Sequence, residues 1–477
     1  MKEYEVIVGL EIHAELNTSS KIYCNCENAF GGEPNTRVCP VCMGMPGTLP
    51  VLNKKAVDYT IMMGHALNCK INSKSRQDRK NYFYPDLPKA YQISQADIPL
   101  CEKGHLDFYV QGKERRIGIT RIHLEEDAGK LVHSDNGNCS YADYNRCGVP
   151  LIEIVTEPEI KGSEEAKCVL ETIKSILKYL DICDCKMQEG SIRCDVNVSI
   201  REKGSTNLGT RCEMKNVNSF SGAVRAIEYE AKRQIEIVSS GGVISQETRR
   251  WDDIQGKSFI MRKKENAQDY RFFPEPDLGI ISVDENHIQK LKETLPELPT
   301  ALIKRYTQED NLPFTDALLI AEQPERASFY NDCRAYNRNR PRSISNRILT
   351  DITKYINETG LKISETKLTA DSLTKLIAMT ERDELSSSSE KLVLNSLLEN
   401  GGNPEELTES LGLRQNSDEE YIRDIIVKVL SENEKSVADY KNGKKKALGF
   451  LVGQCMKLSK GKANPTLLNR LIEQELN

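Results

Sequence analysis

Residues 4–16 alternate, with Gly9, Glu11, His13 and Glu15 on one face and Leu10, Ile12, Ala14 and Leu16 on the other. A period of two predicts a strand with one face in a core and the other in a polar setting. Residues 117–124, 150–155, 191–200 and 210–217 also read as strands, while 164–180 and 221–238 carry helical periodicity. Up to about residue 290 the chain is therefore expected to form one large α+β unit built on antiparallel pairing. The character changes at Leu295-Pro-Glu-Leu-Pro299, beyond which Leu, Ile, Lys and Glu recur at helical spacing. Turns at Gly360, Ser386–Ser389 and Gly401-Gly402 punctuate a helical domain, and a small helical tail follows from about residue 408. In that tail Leu448, Leu451, Val452, Cys455 and Ser459 share one helical face, which the lysines largely avoid.

Composition adds bounds. A chain of 477 residues has room for several domains, and 38% hydrophobic with 29% charged residues fits a globular protein rather than a disordered one. The start MKEYEVIVGLEIH lacks a basic-then-apolar signal layout, and no apolar stretch is long enough to span a bilayer, so a cytoplasmic protein without membrane contact is expected. The fifteen cysteines fit that compartment, being mostly dispersed; Cys69, Cys101, Cys168, Cys194, Cys212 and Cys455 read as buried reduced thiols. Charge is uneven. From Lys435 to Lys462 eight lysines stand against Asp439 alone, a local +7 in a chain of net −5. Such a patch is either a nucleic-acid footprint or a solvated lysine face, and charge alone does not choose.

Two groups of residues point to chemistry. Cys24-Asn-Cys26, twelve residues, then Cys39-Pro-Val-Cys42 supplies two close thiol pairs, the soft four-ligand set of a structural Zn²⁺, although the first pair is CxC where ribbons usually show CxxC. The second group is acidic. Glu11 and His13 leave one face of the first strand; Arg121, His123 and Glu125 repeat that logic; Arg193, Asp195 and Asn197 share a face in SIRCDVNVSI; Arg211, Glu213 and Lys215 follow on the next predicted strand. Polar strand faces often merely meet water. Carboxylates beside imidazole, with Arg and Lys interspersed, also suit Mg²⁺ or Mn²⁺ bridging phosphates. No G-x-x-x-x-G-K-[ST] loop, dinucleotide fingerprint or nucleophile elbow is present.

The segments VGLEIHAELNTSSKIYC, VCPVCMGMPGTLPVLN, KNYFYPDLPKAYQISQ, RIHLEEDAGKLVH, NRCGVPLIEIVTEP, MQEGSIRCDVNVSIR, EMKNVNSF, QETRRWDD and DYRFFPEPDL resemble the B-subunit family of the tRNA-dependent amidotransferases (GatB). The stretch KNGKKKALGFLVGQCMKLSKGKANP resembles that family's YqeY-like tail. The resemblance implies a cradle-like α+β catalytic domain at 1–294 with a zinc-binding insertion at about 24–42, a helical domain at 295–407 and a tRNA-binding tail at 408–477. It also implies a heterotrimer with an amidase-like A subunit and a small C subunit. The A subunit releases ammonia from glutamine. The B subunit uses ATP to phosphorylate the side-chain carboxylate of Glu-tRNA(Gln) or Asp-tRNA(Asn), and ammonia displaces the phosphate.

By position Glu11, His13, Glu125, Glu126, Asp195 and Glu213 match the family's metal- and nucleotide-site motifs, with Glu11, His13, Glu125 and Glu213 as the expected Mg²⁺ ligands. Strand faces nominate Arg193, Arg211 and Lys215 for phosphates. Glu153 in PLIEIV is either a carboxylate behind the metal ligands or a buried, paired group. Lys444, Lys445, Lys446, Lys457 and Lys460 become the expected tRNA contacts. Some members of the family lack the four cysteines, so Zn²⁺ is expected to be structural. Tyr82, Phe83, Tyr84 and Tyr91 are either base-stacking groups or a loop core, and Arg249 and Arg250 beside the lone Trp251 are either phosphate contacts or loop charges. A non-catalytic, zinc-containing tRNA-binding scaffold is the competing function; it gains nothing from converging carboxylates.

Overall fold

The computed structural model describes residues 3–134, 136–263, 270–416, 418–441, 444, 446–459 and 462–476, with residue 263 described by its backbone alone. The chain divides into two compact units, Met1–Leu302 and Ile303–Asn477.

The first unit is organised by one ten-stranded sheet among the described residues. Its strands are β1 (Tyr4–Glu15), β2 (Lys70–Ile71), β3 (Cys101–Val110), β4 (Lys113–Glu126), β5 (Pro150–Thr156), β6 (Ile160–Lys161), β7 (Ile192–Glu202), β8 (Cys212–Val217), β9 (Glu247–Asp252) and β10 (Lys257–Lys263). Their order is β10-β9-β8-β7-β1-β5-β4-β3-β2, with β6 also paired to β1. The first strand thus lies at the centre, flanked by β7 and β5. Leu10, Ile12 and Ala14 are buried on one side together with Val196, Val198, Ile152, Ile154, Ile122 and Leu124. Against this face pack the apolar stripes of α2 (Gly162–Tyr179) and α3 (Phe220–Ser239), including Val169, Ile173, Ile176, Ala223 and Ile227; α1 (Lys54–Ala66) adds Ile61 and Met63 to the same core. Burying these side chains fixes the opposite, polar face of β1.

Two features depart from the pattern. The sheet is mixed, because β8 and β9 run parallel, Cys212 opposite Glu247; the twenty-residue helix α3 lies between them as the crossover that a parallel pair requires. Further, β8 begins at Cys212 and not at residue 210. The loop before it presses on β7 so closely that a Cβ on Gly209 would stand 2.0 Å from the Ile200 carbonyl oxygen, which only glycine accommodates. A bulge then sets the end of β8. Val196 opposes Met214 but Cys194 opposes Val217, and Asn216 takes a left-handed φ of 63° while its Nδ2 donates to the Trp251 carbonyl at 3.1 Å.

The second unit is helical. Its last four helices, Glu419–Glu432, Glu434–Lys441, Lys446–Leu458 and Pro465–Leu476, share a core of their own built on Ile422, Ile426, Leu451, Cys455, Leu468 and Leu471. Leu451, Cys455 and Ser459 are buried, with Leu448 and Val452 packed at the rim, as the helical face predicts. No helix among the described residues is long and apolar enough to cross a membrane.

Candidate active site

Register converts the polar faces into two adjoining clusters. Across β7, β1 and β5, Glu11 lies opposite Asp195 and Val155, while His13 lies opposite Arg193 and Glu153. Continuing outward, Glu153 opposes His123 on β4, and Asn197 opposes Glu213 on β8. Directly opposite residues share a face, so these side chains meet above the sheet.

In the first cluster Glu11, Asp195 and Glu213 bring one oxygen each to within 4.8 Å of one another. Asn197 Nδ2 donates to Glu11 Oε1 at 2.9 Å, and Thr248 Oγ1 donates to Glu213 Oε2 at 2.8 Å. Lys215 reaches into the group, paired with Asp195 and, at 3.1 Å, with Glu213. Burial disfavours the Lys215 ammonium, but Asp195 and Glu213 outweigh it and raise its pKa.

The second cluster joins His13, Glu125 and Glu153, again within 4.8 Å. His13 Nε2 lies 3.3 Å from Glu153 and 3.8 Å from Glu125. His123 Nε2 lies 3.4 Å from Glu153 and 3.5 Å from Glu125, and Arg121 stands 3.8 Å from Glu153. Burial pushes the His13 pKa down, yet its bond to Glu153 and the charges of Glu153 and Glu125 carry it above the usual value. Burial would raise Glu153; His123, His13 and Arg121 instead hold it well below the ordinary carboxylate range. Glu125 is lowered too, against burial, chiefly by His123. Three carboxylates in the first cluster, and two carboxylates with one imidazole in the second, are donor sets of a hard divalent cation, so both clusters fit one by chemistry.

Other nominated residues go elsewhere. Glu126, next in sequence to Glu125, turns away from the clusters; it pairs with Lys89 and accepts the Ile93 amide at 2.9 Å. Arg193 donates to Asp127 at 2.6 Å, and Arg146 stands 3.7 Å from the same carboxylate. Those two guanidiniums take the Asp127 pKa to about 2 against its burial. Beside it Glu15 is pushed up to about 8, by burial and then by the Asp127 charge. Arg211 lies exposed, just before β8 and off the polar row. Sequence reasoning left Glu153 as either a carboxylate behind the ligands or a buried, paired group, named His123 only as part of a polar strand face, and gave Glu15 and Asp127 no role. The pairing of β5 between β1 and β4 brings Glu153 and His123 together with His13 and Glu125. A cleft of about 570 Å³ opens beside this end of the row, lined among others by Glu15, Phe30, Asn145, Arg146, Gly190 and Arg193.

Trp251 and Arg249 belong to a strand, not a loop. Trp251 is 1% exposed, and Arg249 is buried against Glu247 at 2.6 Å, Ser258 Oγ at 2.8 Å and Glu230 at 3.7 Å. Phe83 and Tyr84 are exposed, so their loop is not a core, whereas Tyr91 is half-buried beneath the Arg79 guanidinium, 4.3 Å from its ring centre.

Cys24, Cys26, Cys39 and Cys42 gather within 4.8 Å. Cys42 is lowered to about 5, first by its bond to Cys24 and also by Lys21, whose Nζ is 3.9 Å from Cys42 Sγ. Four converging thiols, one already thiolate-like, fit a soft tetrahedral cation. In the tail Lys444, Lys446 and Lys457 are exposed, with Lys444 paired to Asp439 at 2.9 Å; Lys445 and Lys460 lie outside the described residues.

Residues 6–289 match the model of the GatB/GatE catalytic domain, and residues 329–476 match that of the GatB domain. Similar curated proteins share the whole length. The B subunit of the aspartyl/glutamyl-tRNA(Asn/Gln) amidotransferase of Caldicellulosiruptor bescii is 54% identical over 477 residues, covering 99% of each chain. The proteins of the same name from Thermoanaerobacter pseudethanolicus, 52% identical with 100% of each chain covered, and Clostridium botulinum, 45% identical with 100% of this chain and 99% of its relative, extend the likeness.

Proposed function

This chain belongs to the GatB family, and from that premise we propose that it serves as the B subunit of an aspartyl/glutamyl-tRNA(Asn/Gln) amidotransferase, a carbon–nitrogen ligase of protein synthesis. Its partners on this reading are a glutaminase-type A subunit, a small C subunit and misacylated tRNA, met in the cytoplasm. The substrate carboxylate attacks the terminal phosphate of ATP, giving an acyl phosphate and ADP. Ammonia from the A subunit then attacks the acyl carbon, forms the amide and expels inorganic phosphate.

The observation that carries the reading is the pair of adjoining clusters on one rigid strand face. A carboxylate approaching a polyphosphate is anion meeting anion, so charge neutralisation is the main catalytic task. Glu11, Asp195 and Glu213 would hold one Mg²⁺ or Mn²⁺, and His13, Glu125 and Glu153 a second. Such an ion supplies electrostatic stabilisation to transferring phosphoryl oxygens. The chain's own cations do the rest. Lys215 sits within the first cluster and reaches phosphate oxygens by turning its flexible stem. Arg193, held by Asp127, presents a fixed guanidinium at the end of the row. His13, whose Nε2 faces Glu153 at 3.3 Å and Glu125 at 3.8 Å, would offer that nitrogen to the second ion in its neutral form. Zn²⁺ on the four cysteines would tie the insertion together without an open position for chemistry. The exposed lysines of the tail supply phosphate contacts to tRNA.

Phosphate release from labelled ATP by the three-subunit complex, with Glu-tRNA(Gln) and Asp-tRNA(Asn) offered separately, tests this. Release that depends on misacylated tRNA and is lost in Asp195→Asn, with glutamine hydrolysis kept, is the expected result. Release untouched by Asp195→Asn would leave the chain as a tRNA-binding scaffold.

A further inference from the structure

The loop at residues 82–84, with Tyr270 and Phe272, carries a set of rings outside the core of the first unit. Tyr82 stacks on Tyr84 with centroids 6.5 Å apart and planes at 28°; its other side meets Tyr270 edge-on at 6.4 Å, and Tyr270 meets Phe272 at 5.8 Å. Phe83, between the two tyrosines, is 86% exposed, Tyr84 54% and Phe272 46%. Lys80 Nζ lies 4.9 Å over the Tyr270 ring. Large rings left in water contribute nothing to folding, and a run of them with a cation alongside is the surface on which unpaired bases stack.

The loop that carries the rings is anchored to the corner of the proposed site. Tyr144 Oη donates to the Pro85 carbonyl at 2.8 Å, and the Gly129 amide donates to the Asp86 carbonyl at 2.9 Å. A Cβ on Gly129 would come within 2.8 Å of the Tyr144 ring and 3.1 Å of the Asp86 oxygen, so glycine lets the loop dock that closely. Two residues before Gly129 is Asp127, which grips Arg193 opposite His13. The loop that carries the ladder is thus tied through Gly129 to the segment in which Asp127 holds Arg193, the neighbour of His13 across β1 and β7.

We propose that Tyr82, Phe83, Tyr84 and Phe272 stack the unpaired 3′ nucleotides of the misacylated tRNA. The inference rests on the function proposed above, because the reacting carboxylate belongs to a single residue esterified to the terminal ribose. The bases next to that ribose must then lie within one residue's reach of the clusters, plus the sugar–phosphate step. Stacking is tolerant of sequence, which suits an end shared by tRNAs that differ elsewhere. The rings hold the end of the chain; the clusters act on its cargo.

The test uses Phe83→Ala, Tyr84→Ala and Phe83→Trp in the three-subunit complex. For each alanine variant the KM for misacylated tRNA in ATP-dependent phosphate release should rise about tenfold, with the KM for ATP and the rate of glutamine hydrolysis unchanged. Phe83→Trp should restore the parent value. In a binding assay that needs no catalysis, trimming the three 3′ nucleotides from tRNA should weaken binding to the parent but not to the Phe83→Ala/Tyr84→Ala double variant. Equal trimming penalties in parent and variant would overturn the proposal. So would loss of the A and C subunits from the purified variant, which would assign the rings to a protein interface. A parent complex without tRNA-dependent phosphate release fails the functional reading separately, and the trimming comparison still judges the ladder.

Discussion

Lys215 is the cation that lets Glu11, Asp195 and Glu213 converge, and replacing it with methionine keeps the stem while removing the charge. Its 3.1 Å contact with Glu213 corresponds to about 5 kcal/mol at an effective dielectric constant near 20 and about 1.3 kcal/mol in water. The side chain is 35% exposed, which places each contact near the lower figure. Two contacts of about 1.3 kcal/mol, less about 1.5 kcal/mol for pinning a long side chain, leave about 1 kcal/mol of net stabilisation, to which relief of the repulsion among the three carboxylates adds. Removing it also leaves three carboxylates within 4.8 Å of one another with no cation among them. In EDTA the Lys215→Met chain should therefore melt about 4 °C below the parent. Saturating Mg²⁺ should return most of that loss, because a divalent ion among the carboxylates replaces the missing charge. The sole tryptophan makes the measurement local, since Trp251 is buried on β9, the strand paired with β8. Equal losses with and without Mg²⁺ would refute the argument, for Lys215 would then be packing and not neutralising. No loss in EDTA would refute it as well.

Other outcomes follow from single contacts. Arg249→Ala leaves Glu247 buried without its partner and removes a neighbour of Glu230, so stability to urea should fall by about 3 kcal/mol while the KM for tRNA stays at the parent value; a raised KM in a fully stable variant would return Arg249 to the phosphate-binding set. Metal analysis of the purified chain should find one zinc per molecule, lost in Cys42→Ser, with the metal-free chain melting earlier; zinc retained by Cys42→Ser would break the four-thiol assignment. A chain ending before Lys435 should bind tRNA more weakly and with a shallower dependence on salt, since exposed lysines at 444, 446 and 457 are gone; an identical slope would make the patch ordinary surface.

The parts legible in the sequence were those set by local spacing. Alternation alone placed Glu11 and His13 on one face of β1 and Leu10, Ile12 and Ala14 on the other, and the cysteine pairs announced their own convergence. Period two also accounts for where Glu126 lies: neighbours on a strand point to opposite faces, and Glu126 pairs with Lys89 on the face away from Glu125. Glu153 was legible only as two alternatives, a carboxylate behind the ligands or a buried, paired group. PLIEIV reads as a buried strand, and only its place between β1 and β4, a long-range pairing, sets the carboxylate against His13 and His123. Arg249 and Trp251 were obscured by the charges around them, whose partners Glu230 and Ser258 come from α3 and β10.

The same register explains how so much like charge is held together. Glu11 and His13 are neighbours on one side of a strand, about 7 Å apart, so the two clusters they centre are adjacent by construction. Beneath them Leu10, Ile12 and Ala14 are each no more than 1% exposed, and a one-residue slip of β1 would turn them out to the polar face and bring Glu11 and His13 into the core. Each buried Leu or Ile side chain is worth about 2 kcal/mol, so the slipped register is far costlier than the repulsion above the sheet. The apolar face thus fixes the position of the polar one. Carboxylates that would part if free are kept at a spacing that cations relieve, and the chain answers with Lys215 in the first cluster and Arg121 beside the second. A site built this way is poised for positive charge before any ligand arrives, which is the condition for stabilising charge that develops during phosphoryl transfer without reorganising the protein.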